Sequence, residues 1–110
     1  MKKLLQISLL FIVGLGASEP THFVLDNGLK VIVLEKHTIP VAAVQVWYDV
    51  GSHDEWDGIR GTAHLFEHMM FRGSENIAPE EHARLINEVG GYNNAFTSDD
   101  VTVYHERLPA

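Results

Sequence analysis

The chain has 110 residues, a formal charge of −7 and no cysteine. The acidic balance argues against nucleic acid and anionic membrane surfaces as partners. Without cysteine neither a disulfide framework nor a thiolate metal site can form, so any metal must rest on histidine and carboxylate.

Residues 1–18 open with Lys2 and Lys3, continue in an apolar run from Leu4 to Val13 broken only by Gln6 and Ser8, and end in Gly14, Gly16, Ala17 and Ser18. That is the layout of a secretory signal peptide, and the run is short for a membrane span. A buried N-terminal helix is the plainer alternative. No cysteine follows for lipid attachment, so the expectation is export to a bacterial periplasm with no membrane contact beyond the signal peptide. Removing Lys2 and Lys3 leaves six of the eight basic side chains against fifteen acidic ones, a formal charge of −9. Residues 19–110 are enough for one small core.

Thr21–Leu25 and Leu29–Leu34 flank Asp26-Asn27-Gly28, a strong hairpin-turn signal. Val41–Val50 alternates, with Val44, Val46, Tyr48 and Val50 on one face and Gln45, Trp47 and Asp49 on the other, which predicts a strand. Gly51–Arg60 reads as a polar loop. A helix is predicted over 63–72, with Thr62 as its N-cap and Gly73 in the position of a C-terminal cap. In a second helix Pro79 takes the first position, and Glu80 and Glu81 fall in the first turn, where the helix dipole favours acids. His82, Leu85, Ile86 and Val89 recur there at helical spacing, and Gly90-Gly91 ends the segment. Val101–Arg107 alternates again as a strand. Strands, two helices, then strands predict an α+β unit, a mostly antiparallel sheet with helices packed on one face. Leu108-Pro109-Ala110 follows a strand with no polar tail or capping helix, so the sequence reads as the N-terminal part of a longer protein.

His64-Leu65-Phe66-Glu67-His68 is the most informative stretch. On a helix the two histidines stand one turn apart on one face, the spacing that sets two imidazole nitrogens on a single zinc ion. Glu67 projects near the same face. Zinc lowers the pKa of a bound water to roughly 7, so a neighbouring carboxylate can act as its general base. Leu65, Phe66, Met69, Met70 and Phe71 point to nearly every side, which predicts a buried helix. Burying two histidines and a glutamate is costly unless they are paired or bound to metal. The plainer alternative is a pair of core histidines bonded to backbone carbonyls, with Glu67 in a salt bridge. His22, His37 and His53 read as surface residues, His82 as half-buried and His105 as a core histidine on a strand.

The segment Gly61–Ser74 resembles the active-site segment of the inverted-motif zinc peptidases, the family of pitrilysin, insulin-degrading enzyme and mitochondrial processing peptidase. The likeness extends through Gly90–Tyr104, the Asp26–Leu29 turn and Val50–Glu55, and so covers nearly everything from Thr21 onward. It implies a Zn2+-dependent endopeptidase with His64 and His68 as metal ligands and Glu67 as catalytic base. It implies a clamshell of homologous α+β domains, of which this chain supplies part of the first, sometimes with a homologous partner subunit. The substrate is then a peptide or unfolded polypeptide. Asn93–Thr97 is expected as an edge strand beside the metal that pairs with substrate backbone, Asn94 and Ala95 making the contacts by position; a polar turn is the alternative. The resemblance sets the third zinc ligand, a glutamate on a later helix, beyond Ala110. Glu88 is the in-chain substitute to consider, but the match gives it no ligand role. The 110-residue chain alone is therefore expected to bind zinc weakly and hydrolyse nothing. Two rival readings stay open: a non-catalytic structural subunit of the same fold, and an α+β binding domain whose motif is accidental.

Overall fold

A computed structural model describes residues 19–110, and the expected signal peptide at 1–18 lies outside the described residues. The described residues divide into two compact units, one ending at Thr38 and the other spanning 39–110.

In the first unit β1 (Thr21–Val24) pairs antiparallel with β2 (Lys30–Val33), Thr21 facing Val33 and Val24 facing Lys30. The turn forms where Asp26-Asn27-Gly28 predicts it. Gly28 takes φ +86, which favours glycine, and its N–H donates to the Leu25 carbonyl at 2.8 Å. The Asn27 side-chain oxygen accepts from the Leu29 N–H at 3.1 Å.

The second unit holds β3 (Val41–Tyr48), a 3₁₀ turn at Ser52–Asp54, α1 (Thr62–Met70), α2 (Glu81–Glu88), β4 (Tyr92–Thr97) and β5 (Thr102–Pro109). The sheet runs β3-β5-β4 with both pairings antiparallel. β5 is therefore central, and Val103 on it is only 1% exposed, flanked in register by Trp47 and Phe96. Side chains alternate faces along a strand. Thr102, Tyr104 and Glu106 share the face that meets the helices: Phe71 lies 6.0 Å from the Tyr104 ring, and His82 bonds to Glu106. Both helices thus cover one face, as an α+β arrangement requires. Ala63 on α1 and Ile86 on α2 are the buried apolar residues of the helices.

Several boundaries differ from the sequence expectation. Gly61, in a left-handed conformation, is the N-cap of α1, and Thr62 is its first helical residue, with its hydroxyl donating back to the Ile59 carbonyl. At the other end Phe71 is the C-cap, two residues before Gly73. Pro79 stands in the turn before α2, whose N-cap is Glu80. The Glu80 N–H is drawn to the Phe71 carbonyl, and its carboxylate pairs with Arg72 at 2.9 Å. The loop 51–60 contains an unexpected 3₁₀ turn. α1 is not buried on all sides among the described residues: Leu65, Phe66, Met69 and Met70 are exposed, Phe66 by 61%, because only one side of a nine-residue helix reaches the sheet. His105 is half-buried, beside Tyr92, on the face away from the helices.

The 3₁₀ turn is stitched to the β4–β5 loop. Ser52 and His53 donate their N–H groups to the Ser98 and Asp99 carbonyls at 3.0 and 2.8 Å. At Gly51 the backbone is extended (φ −156), open to any residue, yet a Cβ there would fall 2.4 Å from both of those carbonyl oxygens. Gly51→Ala is therefore expected to lower unfolding stability by about 1–3 kcal/mol, the scale of an overpacked contact. Denaturant unfolding measures it, and an unchanged midpoint would show that the two segments do not meet this closely.

Candidate functional site

α1 carries the motif and presents its three polar residues as the helical period dictates. His64 and His68 face each other, their Nε2 atoms 3.1 Å apart and their ring centroids 4.6 Å apart. Two imidazole nitrogens on one tetrahedral zinc stand about 3.3 Å apart at ordinary bond lengths. The pair therefore fits two positions of a zinc site, although the same distance also suits a hydrogen bond between one neutral ring and the other. Among the described residues no group of three His, Cys, Asp or Glu side chains converges to hold an ion. Glu88 is no substitute, since it is exposed and pairs with Arg84 one turn earlier on α2.

Glu67 is buried, 8% exposed. Its Oε2 accepts a hydrogen bond from the Thr97 hydroxyl at 2.5 Å, which joins the helix to the end of β4. The Thr102 hydroxyl, in register with Thr97, donates to the Val50 carbonyl at 3.0 Å and lies 3.4 Å from the Thr97 oxygen. Thr97 was not a sequence candidate; its role follows from strand register, which a local pattern does not report. Burial, reinforced by the negative charge of Glu67, raises the nearby Tyr104 hydroxyl above its ordinary value.

The helix is capped from a distance. Glu55 accepts from the Gly61 N–H at 2.6 Å and from the Ala63 N–H at 2.8 Å. These bonds, Ala63 foremost, lower its carboxyl below the ordinary value. A group depressed in this way adds stability above its unfolded value and loses it as pH falls through the folded one. Sequence reasoning missed Glu55 because a capping box is sought three residues away, not across a loop. His53, exposed as expected, is raised by its hydrogen bond to Asp100 and by the charges of Asp100 and Asp99.

An open cleft of about 500 Å³ brings Glu55, Gly61, His64, Glu67, Ala95 and Thr97 together. β4 is an edge strand, bounded by β5 on one side only among the described residues. The Ala95 N–H donates to the Asn94 side-chain oxygen at 2.9 Å, and the Asn94 amide donates to the Tyr92 hydroxyl at 2.9 Å. Of the two expected substrate contacts, Ala95 thus lies in the cleft beside His64 and Glu67. Asn94 lies along the strand and occupies a donor that an added strand would use.

A family model described as Insulinase (Peptidase family M16) matches residues 30–110. The chain is 40% identical to the zinc protease PqqE of Helicobacter pylori, over 94% of this chain and 26% of that protein. It is 37% identical to a probable mitochondrial-processing peptidase subunit beta of Arabidopsis thaliana, over 86% of this chain and 18% of the relative. It is 34% identical to the zinc protease YmxG of Bacillus subtilis, over 76% and 20% respectively. The crystal structure of a protease from Helicobacter pylori superposes with a TM-score of 0.80 at 33% identity, covering 84% of this chain and 23% of that one. The chain thus spans about a fifth to a quarter of the length of these proteins.

Thr97→Val leaves the shape of β4 nearly unchanged but takes the hydroxyl donor from a buried carboxylate. The expected loss is about 1–3 kcal/mol of stability. Denaturant unfolding checks it, and a midpoint equal to the parent's would mean that Glu67 does not depend on this bond.

Proposed function

The chain belongs to the insulinase family, peptidase family M16, and on that premise we propose that it serves the zinc-dependent hydrolysis of peptide bonds within a polypeptide. In this reading His64 and His68 hold the metal and Glu67 is the general base. The observation that carries it is the convergence of the two Nε2 atoms, 3.1 Å apart, on the helix that also fixes a buried carboxylate in the cleft. Zinc, when bound, supplies a Lewis acid that brings the pKa of water to about 7 and polarises a carbonyl. A catalytic zinc takes three protein ligands and keeps one position open; the described residues supply two.

The work of the remaining residues follows from their positions. Thr97 commits one oxygen of Glu67, fixing the carboxylate and leaving Oε1 to take a proton from water and return it to the leaving amine. The substrate, a peptide or unfolded polypeptide, adds as a strand to the open edge of β4. The Asn94 side chain then turns away from the Ala95 N–H so that the substrate backbone can take its place. Export to a periplasm is the setting that fits the basic-then-apolar segment at 1–18, and a homologous subunit is the partner the family likeness suggests.

Glu67→Gln should cut peptide hydrolysis by about 10²–10⁴-fold, the usual share of general-base catalysis, while zinc stays bound. His68→Ala should lose both. Metal content and turnover of the intact protein measure these effects, and normal hydrolysis by Glu67→Gln would overturn the assignment of the base.

A further inference from the structure

We propose that Glu55 is a positioning residue that fixes His64 for metal binding, by clamping the first turn of α1 to a turn bonded to the end of β4. The proposal rests on the reading of His64 and His68 as zinc ligands. A helix start leaves its first N–H groups without intrahelical partners. At α1 the N-cap is a glycine with no side chain to offer. The Glu55 carboxylate takes two of those donors at once, one on each oxygen: Gly61 at 2.6 Å and Ala63 at 2.8 Å. Ala63 immediately precedes His64, so the bond anchors the peptide unit next to the one that leads into that residue.

Glu55 is in turn anchored. Its N–H donates to the Ser52 carbonyl at 3.3 Å, and the Ser52 and His53 N–H groups hold the Ser98 and Asp99 carbonyls. The Ser52 hydroxyl donates to the Asp99 carboxylate at 2.7 Å. A continuous chain of hydrogen bonds therefore runs from the residues just after β4, through the 3₁₀ turn, to the N-terminal turn of α1. Helix ends fray, and this helix is only nine residues long. His64 stands in the first of these fraying turns. Glu67 and His68 stand one turn later, in the last turn, which Thr97 ties to β4 through Glu67. Loss of Glu55 should separate the two imidazoles while leaving the carboxylate in place.

The test is zinc affinity of the intact protein by chelator competition, alongside hydrogen exchange at the Ala63–Leu65 amides. Glu55→Ala is expected to weaken zinc binding by about tenfold, the equivalent of losing a helix cap, and to speed exchange in that turn. Glu55→Gln keeps one acceptor and should fall between parent and alanine; it also serves if the alanine variant does not fold. Ile86→Ala, a core cut on α2, should lower the thermal midpoint without touching zinc affinity. Parent-like zinc affinity in both Glu55 variants would overturn the proposal, as would an equal loss in Ile86→Ala. A parent that binds no zinc would instead overturn the reading of the site, and this proposal with it.

Discussion

A carboxylate buried against a sheet is expensive unless something donates to it, and in this molecule the Thr97 hydroxyl does so for Glu67. That bond decides which side of α1 faces the sheet. With Glu67 turned toward β4, the 3.6-residue period leaves His64 on the cleft and His68 beside it on the helix. It also leaves Leu65, Phe66, Met69 and Met70 on the outer side, uncovered among the described residues. The register of β4 on β5 matters as much, because Thr97 meets the helix only when it stands opposite Thr102.

The hydrogen bonds around the cleft are of two kinds. Those of the sheet ladders and helix turns run from backbone to backbone and define the frame. Those that connect frame to site come from side chains: Thr97 of β4 onto Glu67, Glu55 onto the helix start, Ser52 onto Asp99, and His53 onto Asp100. Exposed ion pairs of the last kind contribute little to stability. A carboxylate on two helix-terminal N–H groups is different, since it satisfies donors that the helix cannot. A loop can in this way hold the helix that carries His64 and His68 without lying on that helix.

Much of this was legible in the residues. Alternation marked β3 and β5, the Asp26-Asn27-Gly28 turn marked the first hairpin, and the spacing of His64 and His68 marked the facing imidazoles. The failures share a cause. Thr62 looked like an N-cap by type, but the chain enters α1 through a left-handed Gly61 and a cap supplied six residues upstream. Pro79 looked like a first helical residue, but a tight turn at Gly73, where a Cβ would strike the Ile77 carbonyl, delays α2 to Glu81. Apolar residues on every side of α1 suggested burial, yet apolarity alone does not say what lies against each side. Local pattern reports period and type; it does not report contacts made across loops or between strands.

In the proposed site His64 and His68 bind one metal ion together, and X-ray absorption at the zinc edge of the intact protein reads that shared coordination. The expected result is a first shell containing two imidazole nitrogens at about 2.0–2.1 Å, with their signature lost when both histidines are replaced by alanine. A shell without imidazole, or one unchanged in the double variant, would contradict it.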